Sequence, residues 1–316
     1  MISFGIDIGG TFVKMVTVNA QGKILRQDKF KTPTHLSSKD FLKFLADKIN
    51  TWVQKLKIKK AVIGVGIAGD TDHKKGILRF APNIPWKNLK ITSGLENLTG
   101  FKSFASNDAN MAAFGVYKKE IKSKYKDILV LTLGTGIGGG IIIDGKLYQG
   151  ATGTAGEFGH IKIGDTQKGN ICGCGARGCL EGYIGTNNLH RLTLKAVKEN
   201  KESVLSLLIK KEGFNVKILS IAAKQKDKSA LLIWEYFARY LGLGIANLIL
   251  SFNPEAIVLS GGVAGGSKYF MPHLKSILKE QKIKEPFRNV KVMLSKMKDI
   301  GAVGAALYAL SEMNEK

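Results

Sequence analysis

The chain has 316 residues, 44% of them hydrophobic, which is enough for a large buried core and indicates about two domains. No apolar run approaches the roughly 18 residues that a membrane span needs, and the start, MISFGIDIGG, lacks the features of a signal peptide, so we expect neither. The formal net charge of +23 comes mostly from lysine, because only 6 of the 48 basic residues are arginine and the other 42 are spread along the chain. Specific readers of nucleic acid concentrate arginine on one face. The composition therefore favours a solvated surface and leaves only nonspecific anionic partners, such as nucleic acid or a phosphate polymer, open.

The first predicted element is a β-hairpin over residues 2–18, ISFGIDIGGTFVKMVTV. Apolar residues flank the turn Gly9-Gly10-Thr11, and the β-branched run after it indicates a strand, whereas a Walker loop or a dinucleotide-binding turn requires a helix there. Consecutive backbone N–H groups in such a turn form a nest for phosphate, and Asp7 just before it is placed to face a bound Mg²⁺. An ordinary glycine-rich hairpin stays open as the alternative.

The next segments predict a helix over about 38–56 and a strand over 61–69. A short strand then ends at Ser106 and a helix starts near Ala109, so Asp108 falls where the carboxyl end of a strand meets a helix N-terminus. This is the usual place for a functional site in an α/β sheet, but aspartate is also a strong N-cap. The residues alone leave the two interpretations evenly balanced.

Residues 128–145, ILVLTLGTGIGGGIIIDG, repeat the pattern of strand, glycine-rich turn and strand. Two such hairpins indicate a duplicated fold. Thr135 and Gly136 of the second turn, with Thr11 of the first, would hold a phosphate from two sides, and phosphoryl transfer depends mostly on positioning and charge neutralisation. The alternative is two glycine-rich hairpins without a ligand.

All three cysteines lie near a histidine in the glycine-rich stretch 150–181; the set is His160, Cys172, Cys174 and Cys179. Three thiolates and one imidazole complete a closed tetrahedral shell with no open position for water, so we predict a structural Zn²⁺ site. The neighbouring Gly, Asn, Ala and Arg residues argue against three thiols buried in a core, which is the alternative. Clustered cysteines without disulfide-like spacing fit a reducing compartment, so we predict a cytoplasmic location.

Two carboxylates flank the predicted metal ligands. Glu157 lies three residues before His160, and Glu181 lies two residues after Cys179. A metal that fixes this loop would fix both carboxylates, and two positioned carboxylates suit a ligand rich in hydroxyl groups. If one ring nitrogen of His160 binds Zn²⁺, the other carries a proton that it can donate to such a hydroxyl.

The rest of the chain predicts helices over about 186–250, where apolar residues recur at spacings of three and four. A buried strand and a glycine turn follow in EAIVLSGGVAGG. The segment VKVMLSKMKDIGAVGAALYALSEM then predicts a strand, a loop and a helix whose small residues permit close packing.

Several segments together resemble the ROK family of sugar kinases, within the actin-like ATPase superfamily. They are, in chain order, DIGGT (7–11), SNDAN (106–110), LGTGIGGG (133–140), GEFGH (156–160), CGCGARGCLE (172–181) and SGGVA (260–264). The resemblance covers nearly the whole chain, and the order and joint occurrence of the segments make it far more specific than any single motif.

The resemblance implies an α/β fold of two actin-like ATPase (ribonuclease H-like) domains around a cleft, with a structural zinc loop. A small N-terminal domain would comprise residues 1–108 plus 302–316, and a large C-terminal domain residues 109–301. Sugar binding is expected to close the cleft and exclude water. Some family members are sugar-responsive repressors with an added N-terminal helix-turn-helix domain; we expect none here because the first predicted strand begins at Ile2.

The resemblance also implies residue roles. Asp108 would be the general base that accepts the proton of the attacking sugar hydroxyl. The residues expected to bind the sugar are Asn83, Asn107, Asp108, Glu157, His160 and Glu181. The residues expected to bind ATP and Mg²⁺ are Asp7, Gly9, Gly10, Thr11, Lys14, Thr135, Gly136, Gly261 and Gly262, the last two in a turn that resembles the adenosine-contacting turn of the family.

One position departs from the family pattern. Many members carry Lys or Arg directly after the threonine of DxGGT, where this chain has Phe12. Side-chain alternation along a strand puts residues 12 and 14 on the same face, so Lys14 is expected to substitute.

The function implied is ATP-dependent phosphorylation of a hexose in carbohydrate metabolism. Glucose, giving glucose 6-phosphate, is favoured because the zinc loop and the SNDAN segment look most like those of glucokinases. The alternatives are N-acetylmannosamine, N-acetylglucosamine, fructose or allose as the substrate, or a non-catalytic sugar-sensing regulator. The implied cofactors are ATP, Mg²⁺ and structural Zn²⁺. The implied assembly is a homodimer with Trp234, Phe237 and Tyr240 as core or dimer contacts, without a membrane or a specific nucleic acid as partner.

Overall fold

The computed structural model describes residues 1–297 and 299–314, which form two compact units. The first unit comprises residues 1–129, 140–156 and the described residues from 296 onward. The second unit comprises residues 130–139 and 157–295. The domain boundaries expected from the resemblance, after residues 108 and 301, stay predictions.

The first 129 residues alternate strands and helices. Their elements are, in chain order, β1 (Ile2–Ile8), β2 (Phe12–Val18), β3 (Ile24–Lys31), α1 (Ser38–Lys55), β4 (Ala61–Ile67), β5 (Asp70–Asp72), β6 (Ile77–Phe80), β7 (Leu89–Lys90), α2 (Ile91–Thr99), β8 (Lys102–Asn107), α3 (Asp108–Val116) and a π-helical turn (Tyr117–Ile121). The hairpin, helix and strands predicted in this part of the sequence are confirmed.

The later elements begin with a second hairpin and continue mostly as helices. They are β9 (Ile128–Leu133), β10 (Ile137–Ile143), β11 (Lys146–Tyr148), a 3₁₀ turn (Phe158–His160), α4 (Leu180–Ile184), α5 (Thr186–Glu199), α6 (Val204–Glu212), α7 (Val216–Lys224), α8 (Lys228–Phe252), β12 (Ala256–Ser260), a 3₁₀ turn (Gly262–Gly266), α9 (Ser267–Lys279), α10 (Glu285–Arg288), β13 (Lys291–Leu294) and α11 (Ile300–Asn314). The boundary between the units falls inside β9 and β10. Among the described residues, none of these helices is both long and apolar enough to span a bilayer.

The main sheet of the first unit has the strand order β3-β2-β1-β4-β8. Strands β1, β4 and β8 are parallel, and β2 is antiparallel to both β1 and β3. The parallel strands end level, because Ile8 pairs with Ile67 and Ile67 pairs with Asn107. The turn after β1 and the start of α3 therefore leave the sheet at the same edge, where functional sites of α/β sheets usually lie.

Helix α11 packs against β1 and β4 at backbone contact distance. Gly5 of β1 pairs with Gly64 of β4, and a Cβ added to either would overlap a carbonyl oxygen of α11, that of Ala302 or Ala305 respectively. Only glycine fits so close an approach. The close packing predicted from the small residues of this helix is confirmed.

Aromatic packing anchors the loop APNIPW in the first unit. The rings of Phe41 and Trp86 stack with centroids 3.7 Å apart, and Trp86 Nε1 donates a hydrogen bond to the carbonyl oxygen of Leu36 at 2.9 Å. Ile84 is also buried. These contacts hold both sides of Asn83, which itself is exposed.

The second unit is built around the long helix α8. Trp234 and Phe237 are fully buried and pack edge-to-face with centroids 5.5 Å apart, so the expectation that they are core residues is confirmed. Tyr240 is half-buried and stacks on Tyr183 of α4 at 4.3 Å. The second main sheet has the order β11-β10-β9-β12-β13, with β12 and β13 parallel.

Candidate functional site

The residues predicted to bind ligands divide between the two units. The first unit holds Asp7, Gly9, Gly10, Thr11, Lys14, Asn83, Asn107 and Asp108. The second unit holds Thr135, Gly136, Glu157, His160, Cys172, Cys174, Cys179, Glu181, Gly261 and Gly262. Each set is described within its own unit.

The first glycine turn joins β1 to β2. The backbone N–H of Gly9 donates to the carbonyl oxygen of Phe12 at 3.0 Å, and Thr32 Oγ1 donates to the carbonyl oxygen of Gly9 at 2.6 Å. These two bonds hold the backbone N–H and carbonyl group of Gly9, at the start of the turn. Gly10 is half-buried and Thr11 is exposed, so the tip of the turn is accessible to a ligand.

Asn83 lies directly beside this turn. A Cβ added to Gly10 would be 3.0 Å from the Cβ of Asn83 and 3.1 Å from its carbonyl oxygen. The absence of a side chain at Gly10 thus makes room for the APNIPW loop. The structure brings a residue predicted to bind nucleotide next to a residue predicted to bind sugar.

Asp7 and Lys14 face each other across the first hairpin. Lys14 Nζ lies 3.6 Å from Asp7 Oδ2 and 2.7 Å from Asp299 Oδ1. Burial raises the pKa of Asp7, and the charge of Lys14 only partly offsets this effect. Burial by itself would lower the pKa of Lys14, but its contacts with Asp299 and Asp7 outweigh burial and raise it. Lys14 is therefore a charged partner of two carboxylates.

Asp108 is the first residue of α3 and directly follows β8. The helix N-cap is Asn107, whose Oδ1 accepts from the backbone N–H of Ala109 at 2.9 Å and of Asn110 at 3.4 Å. Its Nδ2 donates to the carbonyl oxygen of Gly69 at 3.1 Å. The alternative in which Asp108 is the N-cap is therefore wrong, because the neighbouring asparagine occupies that position. The half-buried carboxylate of Asp108 lies in the first helical turn, which suits a negative charge.

The second glycine turn, residues 134–137, has its carbonyl groups bound by α5. Thr186 Oγ1 donates to the carbonyl oxygen of Gly134 at 2.7 Å, and the backbone N–H of Thr186 donates to that of Thr135 at 3.3 Å. The N–H of Gly134 donates to the carbonyl oxygen of Gly136 at 3.0 Å. Thr135 is exposed at the tip, as Thr11 is in the first turn.

Glu181, near the start of α4, contacts both the second turn and the cysteine loop. Its Oε2 accepts from the backbone N–H of Ile137 at 3.0 Å, and its Oε1 accepts from the thiol of Cys172 at 3.3 Å. The carboxylate that sequence patterns assign to a sugar is thus also a structural link between two segments of the second unit.

The four predicted metal ligands converge. One ligand atom from each of His160, Cys172, Cys174 and Cys179 lies within 4.8 Å of the others. Cys172 Sγ is 3.6 Å from His160 Nδ1, and Cys174 Sγ is 4.0 Å from Cys179 Sγ. Zn–S bonds of about 2.3 Å and Zn–N bonds of about 2.0 Å at tetrahedral angles place ligand atoms roughly 3.5 to 3.8 Å apart. The cluster therefore fits a tetrahedral Zn²⁺ ion with little adjustment.

The ring of His160 has one nitrogen toward the cluster and one toward Glu157. Nδ1 is the atom near Cys172, whereas Nε2 lies 3.8 Å from Glu157 Oε2. A metal bound at Nδ1 would leave the proton on Nε2. His160 is partly exposed, so this N–H is accessible to a polar ligand.

The third glycine turn follows β12. Gly261 has φ of 95°, and a Cβ there would overlap the carbonyl oxygen of Leu133. The turn therefore requires glycine for both conformation and space. At Gly262 an added Cβ would meet nothing within 4 Å, so this part of the backbone is open to a ligand.

The sequence profile of the ROK family matches residues 3–312. The chain belongs to the ROK family. A glucokinase from Halalkalibacterium halodurans is 36% identical to it over 277 residues, which are 86% of this chain and 83% of that protein. A crystal structure of a ROK family glucokinase from Streptomyces griseus in complex with glucose and AMPPNP is 32% identical, with a TM-score of 0.81, and the match covers 98% of this chain and 100% of that one. A xylose repressor from Caldicellulosiruptor bescii is 28% identical over 98% of this chain and 78% of the repressor.

Membership of the ROK family and the likeness to its solved structures confirm the α/β fold of the actin-like ATPase type.

The structure shows the surroundings of Phe12, the residue at which this chain departs from the ROK pattern. Phe12 is exposed, Val13 is buried and Lys14 is half-buried, so residues 12 and 14 share a face as predicted. Lys29 Nζ lies 4.3 Å from the Phe12 ring centroid, a cation–π contact. Position 12 therefore has a lysine above the ring in place of a cation of its own.

Sequence patterns missed several residues at these sites. Lys162 Nζ donates to Cys179 Sγ at 2.9 Å, and this hydrogen bond raises the pKa of Lys162. Thr186 holds the second turn, and Asp299 holds Lys14. One lysine among 42 carries no signal, and Asp299 is far from Lys14 in sequence. Thr186 begins a helix after a glycine, which is a detectable but common pattern.

Proposed function

We propose that this ROK protein is a sugar kinase that transfers the terminal phosphoryl group of ATP to a hydroxyl of a hexose. The observation that carries the proposal is the 32% identity, over almost the whole of both chains, to a ROK glucokinase whose structure holds glucose and AMPPNP. The identity of 36% to a second glucokinase supports it.

Glucose is the proposed acceptor, and glucose 6-phosphate the product. The relatives that support this choice are the glucokinases of Halalkalibacterium and Streptomyces. N-acetylmannosamine, N-acetylglucosamine, fructose and allose remain alternative substrates. A sugar-sensing regulator is a second candidate, because the match to the xylose repressor extends over 98% of this chain.

Asp108 is the proposed general base. Its carboxylate accepts the proton of the sugar hydroxyl while that oxygen attacks the γ-phosphorus, and the bond to the bridging oxygen of ADP breaks. The position at the start of α3, with Asn107 capping the helix, supports this role because the carboxylate is not needed as the cap.

The other proposed roles are binding of the sugar and binding of the nucleotide. The proposed sugar ligands, besides Asp108, are Asn83, Asn107, Glu157, His160 and Glu181. The proposed nucleotide ligands are Asp7, Gly9, Gly10, Thr11, Lys14, Thr135, Gly136, Gly261 and Gly262. The proposed nucleotide ligands are supported by the exposure of Thr11 and Thr135 at the tips of their turns.

Zn²⁺ and Mg²⁺ have different proposed roles. His160, Cys172, Cys174 and Cys179 would hold Zn²⁺ as a structural ion, since four protein ligands leave it no open position. Asp7 would contact Mg²⁺, which supplies neutralisation of phosphate charge when bound with the nucleotide.

A coupled assay of ADP release over a panel of sugars tests the proposal. We expect glucose to give the highest kcat/KM among glucose, fructose, allose, N-acetylglucosamine, N-acetylmannosamine and xylose. A different sugar with a higher kcat/KM would overturn the choice of glucose and leave the kinase intact. Sugar binding by calorimetry without ADP release for any sugar would instead favour the regulator.

We further propose a homodimer in the cytoplasm. Support for the dimer comes from Leu231, Leu232, Leu243 and Leu250, large apolar side chains that α8 leaves exposed. Sedimentation equilibrium at micromolar concentration measures the mass, and a monomer would contradict the proposal. The cytoplasmic location rests on the three free cysteines.

A further inference from the structure

The zinc loop and α5 together hold the second glycine turn. We propose that Glu181 and Thr186 are positioning residues that fix residues 134–137 in the shape that receives a nucleotide phosphate. The same zinc loop, residues 150–181, then supports nucleotide binding in addition to sugar recognition. This inference rests on the proposed function only in naming the ligand of the turn as a nucleotide phosphate.

Glu181 holds the end of the turn through a buried backbone group. Ile137 is 4% exposed, so its N–H has little access to water and depends on Glu181 Oε2 at 3.0 Å. A Cβ added to Gly136 would overlap this same oxygen, so glycine at this position allows the carboxylate to approach. A charged acceptor on a buried N–H is among the stronger hydrogen bonds in proteins.

Thr186 holds the carbonyl side of the turn. Its hydroxyl binds the carbonyl oxygen of Gly134 and its N–H binds that of Thr135. Because a peptide unit is planar, a bond that fixes a carbonyl also fixes the direction of the N–H in the same unit. These are the N–H groups of Thr135 and Gly136, which a phosphate nest needs in a constant direction.

The contacts of the turn adjoin the predicted metal ligands. Glu181 lies two residues after Cys179 in the chain, and its second oxygen is 3.3 Å from Cys172 Sγ, a hydrogen bond that the protonated thiol donates and a metal-bound thiolate would not. Gly159, next to His160, packs so closely on Ile137 that a Cβ would overlap the Ile137 carbonyl oxygen. A metal that fixes the loop therefore also fixes the groups that hold the turn.

Hydrogen exchange of the backbone N–H groups, measured by NMR or mass spectrometry on the zinc-loaded protein, tests the positioning without any ligand. In Glu181→Ala we expect Ile137 to exchange at least about tenfold faster, the factor that corresponds to loss of a hydrogen bond to a charged group. In Thr186→Val, which has nearly the same shape without the hydroxyl, we expect faster exchange across residues 134–137. Glu181→Gln keeps a hydrogen-bond acceptor, and Thr186→Ser keeps a hydroxyl. Both variants should therefore retain most of the protection against exchange.

Thr193→Val is the matched control. Thr193 lies in the same helix α5, and its hydroxyl also donates to a carbonyl oxygen, that of Leu189 at 2.8 Å, but it does not contact the turn. Exchange in residues 134–137 should therefore stay at the wild-type rate. Removal of the metal by a chelator from the wild-type protein should accelerate exchange of Ile137, as Glu181→Ala does.

Calorimetric titration with AMPPNP connects the turn to its ligand. Thr186→Val should raise the Kd for AMPPNP about tenfold, while the Kd for glucose stays at the wild-type value. Unchanged exchange in both Glu181→Ala and Thr186→Val, or a rise in the glucose Kd alone, would overturn the inference. If the variants accelerate exchange but the wild-type protein binds no AMPPNP, the positioning role stands and the proposed function fails.

Discussion

Asn107 and Asp108 divide two tasks that sequence patterns assign to a single position. The asparagine caps α3 with its oxygen and binds the carbonyl of Gly69 with its amide nitrogen. The aspartate comes one residue later, in the first helical turn, where its carboxylate is not used as the cap. The SNDAN motif contains both residues, but only the folded structure shows that Asn107 ends the strand and Asp108 begins the helix.

Asp108→Asn tests the general base. An amide cannot accept the hydroxyl proton, so we expect kcat to fall by about 10² to 10⁴-fold, whereas the Kd for the sugar stays within about threefold of wild type. Steady-state ADP release and calorimetry measure the two values. Asp47→Asn, at an exposed carboxylate of α1, is the control and should keep full activity. Near-normal turnover in Asp108→Asn would contradict the role.

Asp7 predicts a dependence of stability on pH. Its pKa in the folded protein lies above the usual 3.8 because of burial, so the folded protein holds this proton more tightly than the unfolded chain does. The stabilisation that comes from this more tightly held proton is fully present below pH 3.8, and it is lost as the pH rises through the raised pKa of Asp7. Asp7→Asn carries no such charge, so it should be more stable than wild type at pH 7, and the difference should shrink toward pH 4. Thermal unfolding at several pH values measures this; a less stable variant at pH 7 would contradict it.

At the scale of elements, the cysteine loop has little buried core of its own, so we expect its order to depend on the four predicted metal ligands. Cys172 and Cys179 are buried, but most residues between Asp165 and Arg177 are exposed or half-buried. The sequence was sufficient to predict this element, because three cysteines and one histidine within twenty residues form a pattern that zinc chemistry restricts strongly. It could not predict that Lys162 contacts Cys179, since nothing in its spacing distinguishes this lysine from the other surface lysines.

Metal removal provides the test at this scale. We expect metal analysis to find one Zn²⁺ per chain, and treatment with a chelator to lower the thermal midpoint by several degrees because the loop loses its cross-link. Cys174→Ser should lower both the zinc content and the midpoint. Lys168→Ala, at an exposed position of the same loop, should change neither. A zinc-free protein of unchanged stability would refute the structural site.

The two hairpins were predicted from glycine turns between β-branched runs, and both exist. What holds each turn was not predictable. Thr32 binds Gly9 from 23 residues away, and Thr186 binds Gly134 from 52 residues away. Such contacts depend on tertiary structure, whereas a strand and its turn are set by neighbouring residues.

For the whole molecule, the division of the chain was the hardest feature to predict. Residues 140–156 and the described residues from 296 onward belong to the first unit, although residues 157–295 between them belong to the second. Local patterns of hydrophobicity give strands and helices, but they contain no information on which distant strands pair. The family resemblance was therefore needed for the fold, and the local patterns alone would have given only a chain with both strands and helices.

The net charge of +23 leads to a prediction for the whole molecule. Dispersed lysines attract nucleic acid by releasing counterions, an effect that salt suppresses and that carries no sequence information. We expect weak binding to any duplex DNA at about 50 mM salt and its loss by about 200 mM. Fluorescence anisotropy with several unrelated duplexes measures this. Binding to one duplex only, retained at about 200 mM salt, would contradict the interpretation of the lysines as a solvated surface.

The close packing of α11 on Gly5 and Gly64 affects how the protein folds during its synthesis. Ribosomes add about 5 to 20 residues per second. Roughly 9 to 34 s therefore separate residue 129 from residue 300, the first residue of the helix that covers β1 and β4. Until then the part of β1 and β4 that α11 covers is exposed, and transiently exposed apolar surface of this kind favours aggregation. The second unit, whose residues are almost all contiguous, is free of this delay.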